Sequence, residues 1–138
     1  MLSIDSIEKG LVIDHIKAGK SMTIYQSLNL GELDCSVAII KNVKSNRLGK
    51  KDIIKIEDRI DLDLDILGYI DPNITINIIE GGRIMAKERL SLPKRISHIA
   101  RCKNPRCITS TEQGVEHVFI LTDPEKRVYR CMYCEQEL

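Results

Sequence analysis

The chain has 138 residues, of which 43% are hydrophobic and 30% are charged, and its formal net charge is +1. These values are typical of a folded globular protein and exclude a disordered chain. The near-zero charge, the lack of Trp and the single Phe argue against a dedicated nucleic-acid binder. The start of the chain lacks the pattern of a signal peptide, and no apolar run approaches the ~18 residues that cross a bilayer, so we expect a cytoplasmic protein.

The first two thirds of the sequence alternate short apolar segments with turn signals. Strands are predicted over residues 11–16, 36–43, 52–57, 74–80 and 83–89, and helices over residues 21–30 and 61–70. Ser21 is expected to cap the first helix and Gly31 to end it, while Asp61 or Asp63 caps the second. This order predicts an α+β fold of the ferredoxin-like plan, an antiparallel sheet with two helices on one face and one added strand.

The pattern changes near Leu92 and Pro93. Proline cannot donate a backbone hydrogen bond, and the residue before it is pushed toward extended geometry, which is typical of a junction. Beyond it, the sequence predicts a hairpin of two short strands, residues 117–121 and 127–131, among polar loops. We therefore expect two domains, residues 1–92 and residues 93–138.

Four of the five cysteines fall in the second part, as Cys102-x4-Cys107, 23 further residues, and Cys131-x2-Cys134. Two close pairs joined by a hairpin are the arrangement of a tetrahedral four-cysteine zinc site, and four thiolates leave no open position for catalysis. So small a domain rarely builds enough core alone, and zinc binding of about 10–16 kcal/mol decides whether it folds. The second domain is therefore predicted to be a small β zinc ribbon of the rubredoxin-like type.

Two other uses of these cysteines stay open at this point. An iron centre of the rubredoxin type has the same geometry, because ligand softness does not separate the two metals. A redox pair at Cys131 and Cys134 is the third interpretation, but it leaves Cys102 and Cys107 unexplained. Cys35 stands apart in the first domain and is interpreted as a small core residue.

Basic residues of the first domain suit a phosphate site. Lys55 lies between Ile54 and Ile56, so its side chain points away from the apolar face of its strand, and Lys87 is placed alike in the last strand. Two lysines and turn amides can hold a polyphosphate. On pattern alone, a solvated turn is the simpler interpretation of the basic run from Lys41 to Lys55.

The sequence carries no pattern that indicates an enzyme. It has no GxxxxGK[ST] or GxGxxG loop, no HExxH and no paired carboxylates. His15 follows Asp14, but a lone histidine in a strand is more often structural than catalytic. We expect a chain without catalytic residues.

Four segments, in order, resemble the regulatory chain of aspartate carbamoyltransferase: IEKGLVIDHI (7–16), LGKKDIIKIE (48–57), ITIN…AKERLSLPKRI (74–96) and the cysteine pattern with YCEQE (133–137). The resemblance covers nearly the whole chain. It implies an allosteric domain that binds CTP and ATP, with UTP as a further candidate, and a domain with one structural zinc that docks on the catalytic chain. It also implies a role in pyrimidine biosynthesis, in which regulatory homodimers bridge catalytic trimers and the regulatory chain itself has no catalytic activity.

The same resemblance implies which residues lie near the nucleotide. They are Ile7, Val12, Asp14, His15, Lys55, Asn77, Ile84 and Lys87. Lys87 is expected near the phosphates, Lys55 near the ribose and phosphates, and Asp14 near the base and ribose. The hairpin turn holds Gly81-Gly82 where family members can carry a Tyr, so base recognition is expected to differ there.

Two alternatives from other classes remain. A zinc-ribbon adaptor for nucleic acid or another protein partner would use Arg101, Lys103 and Arg106 beside the cysteines, although the neutral charge and few aromatics weigh against it. A sensor of another small molecule is the second alternative, because ferredoxin-like domains host many ligands.

Overall fold

The computed structural model describes residues 6–138. The chain forms two compact units, Met1–Ser91 and Leu92–Leu138. The predicted first domain begins at residue 1, and its first five residues lie outside the described range. Within that range, no helix is long and apolar enough to span a membrane.

The first unit is a five-stranded sheet with two short helices. Its elements are β1 (Gly10–Lys17), α1 (Ser21–Ser27), a single 3-10 turn (Leu30–Glu32), β2 (Val37–Ser45), β3 (Gly49–Ile56), α2 (Leu64–Ile70), β4 (Thr75–Glu80) and β5 (Arg83–Arg89). The strand order is β2-β3-β1-β4-β5, and every neighbouring pair is antiparallel. The predicted ferredoxin-like plan is confirmed, with β5 as the added edge strand.

The two helices cover one face of this sheet. The apolar residues of alternate strand positions point toward the helices, as the period of two dictates. Ten buried side chains form the core: Leu11, Ile13, Ile16, Ile24, Leu30, Ile54, Ile56, Leu67, Ile74 and Ile76. Cys35 is half-buried and packs against this cluster, as expected for a small core residue. The opposite face, called the open face below, carries no helix among the described residues.

Two β-bulges interrupt the ladder around β3. On β1, Asp14 and His15 together stand opposite the single residue Ile53, and His15 takes the left-handed conformation (φ 59°). On β2, Lys41 and Asn42 (φ 61°) together stand opposite the single residue Asp52. Each bulge adds one residue and so reverses which face the following side chains occupy.

The predicted end and cap of the first helix are wrong. Helix α1 stops at Ser27, and Asn29 (φ 53°) turns the chain into the separate 3-10 turn that contains Gly31. Ser21 is the first helical residue rather than the cap, because its hydroxyl is drawn to the Asp52 carboxylate. In α2, Asp63 is the cap, and its Oδ1 accepts the backbone N–H groups of residues 65 and 66.

Two glycine positions require glycine. At Gly10 (φ 149°), a Cβ would overlap the Ile56 carbonyl oxygen on the neighbouring strand. Gly81 and Gly82 both have positive φ (62° and 73°), as a two-residue hairpin turn of type I′ needs. The turn is also tied to the start of the chain, because Gly82 N–H donates to the Glu8 carbonyl at 2.9 Å.

The second unit is a three-stranded antiparallel sheet in the order β6-β7-β8. Its elements are β6 (Arg95–Ser97), a short helix α3 (Ile108–Thr111), β7 (Val118–Asp123) and β8 (Val128–Cys131). The predicted hairpin corresponds to β7 and β8, while β6 and α3 were not expected. The buried apolar side chains are Ile96, Val118, Phe119 and Tyr129. The Tyr129 hydroxyl donates to the Pro93 carbonyl at 2.6 Å and so fastens the start of this unit to its sheet.

Candidate functional site

The four cysteine sulfurs of the second unit come together. Cys102, Cys107, Cys131 and Cys134 have their Sγ atoms within 4.8 Å of one another. The Cys102–Cys134 and Cys107–Cys131 sulfur pairs are 3.6 and 3.7 Å apart. A tetrahedron with metal–sulfur bonds of about 2.3 Å has edges of about 3.8 Å, so the cluster fits a metal with four thiolate ligands.

Hydrogen bonds prepare two of the sulfurs for the thiolate form. The Thr109 hydroxyl donates to Cys107 Sγ at 3.1 Å and lowers the pKa of that thiol. The backbone N–H of Gln136, assisted by the Asn104 side chain, lowers the pKa of Cys134 to about 6. Thiolates are the metal-binding form of cysteine, so these donors favour metal capture.

The buried side of the cluster behaves differently. Burial raises the pKa of Cys102 to about 12. A dry cluster of four thiols cannot hold four negative charges by itself, because desolvation and mutual repulsion oppose ionisation. A divalent cation removes both obstacles, and this donor set therefore suits a metal better than it suits free thiols.

The backbone around the cluster is tied to a histidine. Cys102 N–H donates to His117 Nδ1 at 3.0 Å, which leaves the proton of the neutral ring on Nε2. Arg130 donates to the Glu135 carbonyl at 3.1 Å and so closes the loop that carries Cys134. Lys103 and Arg106, predicted to lie beside the sulfurs, are exposed.

The open face of the first unit brings together four residues implied by the resemblance. Cross-strand register pairs Lys55 with Val12, Val12 with Asn77, and Asn77 with Lys87. Partners in an antiparallel ladder share a face, so the four side chains form one row across β3, β1, β4 and β5. We call these residues the transverse row.

An unpartnered acceptor lies within the transverse row. Asn77 is 9% exposed, and its Oδ1 has no hydrogen-bond partner within residues 6–138. A buried amide oxygen without a donor costs about 1–3 kcal/mol, so such a group usually serves a ligand or a water. The row therefore offers two cations with an acceptor between them.

Asp14 and His15 lie to one side of the row, further along β1 on its bulge, where Asp14 stands opposite Thr75. Asp14 accepts from Lys51 Nζ at 3.0 Å, and both side chains are mostly buried. His15 Nδ1 lies 2.8 Å from Thr75 Oγ1, on the same face. Burial lowers the pKa of His15, Asp14 raises it, and the positive charges of Lys51, Arg47 and Lys87 lower it further, so the net effect favours the neutral ring.

The other two apolar residues implied by the resemblance, Ile7 and Ile84, lie on the opposite side of the row, near the hairpin turn. Ile84 stands across from Ile79 beside the hairpin turn and is 59% exposed. Ile7 is half-buried in the segment before β1, next to Glu8, whose carbonyl accepts from Gly82. The structure thus places the eight residues along one face and its hairpin edge.

Further basic residues of this face were missed, among them Lys51, Arg89 and Lys17, which stands opposite Lys51 in the ladder. Lys51 was noted only within the basic run, although its contact with Asp14 follows from the bulge. Arg89 pairs with Thr75 and is two residues beyond Lys87, so it shares the open face. The strand alternation of Lys87 and Arg89 was the signal that could have found it.

Comparison with known proteins gives the family. Residues 2–91 match the family model described as the aspartate carbamoyltransferase regulatory chain, allosteric domain, and residues 94–138 match the one described as its metal binding domain. The chain belongs to the aspartate carbamoyltransferase regulatory chain family. The resemblance drawn from the four sequence segments is thereby confirmed.

Individual relatives match along the whole chain. A protein of Clostridium tetani, named aspartate carbamoyltransferase regulatory chain, is 56% identical over 137 residues, covering 99% of this chain and 95% of the relative. Proteins of the same name from Clostridium botulinum (strain Hall) and Bifidobacterium longum are 52% and 40% identical over 136 residues. Both alignments cover 99% of this chain, with 93% and 98% of the respective relative. These names confirm the expectation of a regulatory, non-catalytic chain.

Proposed function

We propose that this regulatory chain binds CTP and ATP on the open face of its first unit and a structural zinc ion at the four cysteines of its second. The transverse row carries the first part of the proposal. It sets Lys55 and Lys87 on either side of Val12 and Asn77, a width of four strands. Strands lie about 4.8 Å apart, so the row spans roughly 14 Å, the scale of a nucleoside triphosphate.

Charge on the open face suits the phosphates. Lys17, Lys51, Lys55, Lys87 and Arg89 share this face with Asp14, which pairs with Lys51 at 3.0 Å. Lysines act as point charges for phosphate, and arginine adds a planar fork of donors. The remaining cations are therefore available to a polyanion.

Asn77 and Asp14 suit the uncharged part of the ligand. The free Asn77 Oδ1 needs a donor, and both CTP and ATP carry ribose hydroxyls and an exocyclic amino group that can donate. The His15 ring is hydrogen-bonded to Thr75 and holds this end of the face in place. A neutral acceptor, Asn77, between the cations Lys55 and Lys87 gives the nucleotide one orientation.

Zinc is the metal that we propose for the cysteines. Its d¹⁰ shell imposes no geometry of its own, and a closed four-thiolate site is its usual structural form. Cys102, Cys107, Cys131 and Cys134 would hold it, and it would supply cross-links between the loop before α3 and the end of β8. We propose one zinc per chain and no chemistry at the metal.

The partner follows from the family. We propose that the second unit docks on the catalytic chain of aspartate carbamoyltransferase in the cytoplasm, as part of pyrimidine biosynthesis. Regulatory homodimers would bridge catalytic trimers. Support for the homodimer lies in β2, an edge strand whose outer backbone groups have no strand partner among the described residues.

Isothermal titration calorimetry of the full, zinc-loaded chain with CTP and with ATP tests the nucleotide proposal. We expect one nucleotide per chain. Asn77→Ala should weaken binding by about 5-fold, the value of one neutral hydrogen bond. Asn73→Ala is the matched control, because Asn73 is exposed and lies before β4, outside the row. Absence of saturable binding by either nucleotide would refute the proposal.

A further inference from the structure

We infer that Asp52 is a positioning residue for the nucleotide site: its buried carboxylate holds the β1 bulge and the β2 bulge in register and thereby fixes Asp14 on the open face. The inference rests on the proposed function, since it concerns the same site. Asp52 itself points to the helix side of the sheet and touches none of the transverse row, so its effect must pass through the backbone.

The Asp52 carboxylate is fully buried and accepts four hydrogen bonds. Oδ2 accepts Gly19 N–H at 3.1 Å, Ser21 N–H at 3.3 Å and the Ser21 hydroxyl at 2.6 Å. Oδ1 accepts Asn42 N–H at 3.0 Å. One side chain therefore joins the turn that follows β1 to the bulged residue of β2.

The β1 bulge depends on this attachment. Before the bulge, Ile13 faces the core opposite Ile54, and after it Ile16 faces the core opposite Asp52. They lie three positions apart in sequence, so an unbulged strand would place them on opposite faces. The extra residue lets Asp14 lie on the open face while Ile16 is buried, and the Asp52 carboxylate secures the chain just beyond this point.

The burial of Asp52 also determines which residue pairs with Asp14. Lys51 precedes Asp52 in β3, so burial of Asp52 toward the helices turns Lys51 to the open face, where it pairs with Asp14 at 3.0 Å. The Asp14 carboxylate also accepts the N–H of His15 at 2.6 Å. Loss of the register would therefore move Asp14, His15 and Lys51 together.

Only a carboxylate fits this position. An asparagine would set its NH₂ group against three donors at the Oδ2 position or, after a flip, against Asn42 N–H. Asp52→Asn therefore replaces one carboxylate oxygen by an NH₂ group and removes the hydrogen bonds that this oxygen accepted. Ser21→Ala is the milder variant, because it removes the hydroxyl contact and leaves the three backbone donors.

The test uses the full, zinc-loaded chain. Without nucleotide, we expect both variants to shift the amide resonance of His15, with Asp52→Asn giving the larger shift. With CTP, Asp52→Asn should raise Kd about 10-fold per folded molecule, and Ser21→Ala about 2-fold. In an Asp14→Asn background, the same changes should raise Kd by less than 2-fold, because the residue through which they act is already altered.

Asp63→Ala is the control, since Asp63 also accepts two backbone N–H groups but caps α2, away from both bulges. It should lower the melting temperature and leave the Kd of folded chains unchanged. An Asp52→Asn chain with lower stability but unchanged Kd and an unmoved His15 resonance would overturn the inference while the nucleotide proposal stands. Failure of the wild-type chain to bind CTP would overturn the proposed function, and the His15 resonance would still report on the bulge.

Discussion

The two units of the chain are each stabilised in a different way. The first has a core of ten buried aliphatic side chains and two buried, hydrogen-bonded carboxylates, Asp52 and Asp71. The second buries four apolar side chains and relies on a cluster of four sulfurs. The difference teaches that changes at the proposed metal site and changes at the proposed nucleotide site act on separate units, and we expect each to leave the other unit folded.

The largest expected effect is on the metal unit. Cys131→Ser removes one ligand of a site whose metal contributes about 10–16 kcal/mol to folding. We expect loss of zinc, unfolding of residues 92–138 and loss of binding to the catalytic chain, while the sheet of the first unit persists. Metal analysis by mass spectrometry and amide NMR spectra of both units measure these outcomes.

Cys35→Ser serves as the matched control for this change. Cys35 is half-buried in the first unit and lies outside the sulfur cluster. It should keep its zinc and lose only a little stability. Retention of stoichiometric zinc by Cys131→Ser, or simultaneous unfolding of both units, would contradict the separation.

The next effect concerns Asp52 in the sheet unit. Asp52→Ala leaves buried donors without a partner and should cost about 3–5 kcal/mol. Burial alone would raise the pKa of Asp52, but hydrogen bonds from Ser21, Asn42 and Gly19 outweigh it and lower the pKa below its ordinary value. The stabilisation is therefore complete at neutral pH and is lost as the pH falls below about 4, where the unfolded carboxyl takes up its proton first.

Urea titrations followed by the NMR amide signals of β1 and β3 measure this dependence. Wild-type sheet stability should fall between pH 5 and pH 3, and the Asp52→Ala chain should show a smaller fall. Equal falls in both chains would show that other carboxylates govern the acid sensitivity.

A smaller effect is expected at Lys87. Lys87→Ala removes one charge-assisted contact, worth about 1.5–3 kcal/mol, so Kd for CTP should rise about 10- to 100-fold. The activity of the catalytic chain without effector should not change. Lys44→Ala is the control, because Lys44 lies on β2 at the far edge of the sheet. An unaltered CTP titration of the Lys87 variant would remove Lys87 from the site.

Alternation in the sequence predicted the faces of the strands but not their register. Ile54, Lys55 and Ile56 show directly that the lysine faces away from the core. Nothing local shows that Lys55 stands beside Val12, because this pairing joins β1 and β3, which are separated in sequence by α1, the 3-10 turn and β2. The resemblance, rather than the pattern, brought the members of the transverse row together.

Two of the differences between the prediction and the structure come from groups that are distant in sequence. Ser21 has the chemistry of a helix cap, yet its hydroxyl is taken by Asp52, 31 residues away. Strand β6 has only three residues and exists because it pairs with β7, which no local signal reveals. The cysteine cluster was easier to predict, because four ligands at characteristic spacing need no knowledge of strand register.

The smallest expected effect tests the link between the units. The Pro93 carbonyl accepts from Tyr129 and the Lys94 carbonyl accepts from Leu121, so both residues belong to the second unit, and an insertion must be placed before Leu92. Gly-Ser inserted between Ser91 and Leu92 changes no contact within either unit. Zinc content, CTP affinity and binding to the catalytic chain should therefore stay within about 2-fold of the wild type. The change in catalytic activity that CTP produces should shrink, because allostery requires both sites to bias one shared equilibrium, and a slack connection weakens that coupling. Insertion of Gly-Ser between Pro124 and Glu125, in the turn between β7 and β8, is the control, because it lengthens the chain by the same two residues without altering the connection between the units.

A full-sized CTP response after the Ser91–Leu92 insertion would mean that the signal does not travel through this connection.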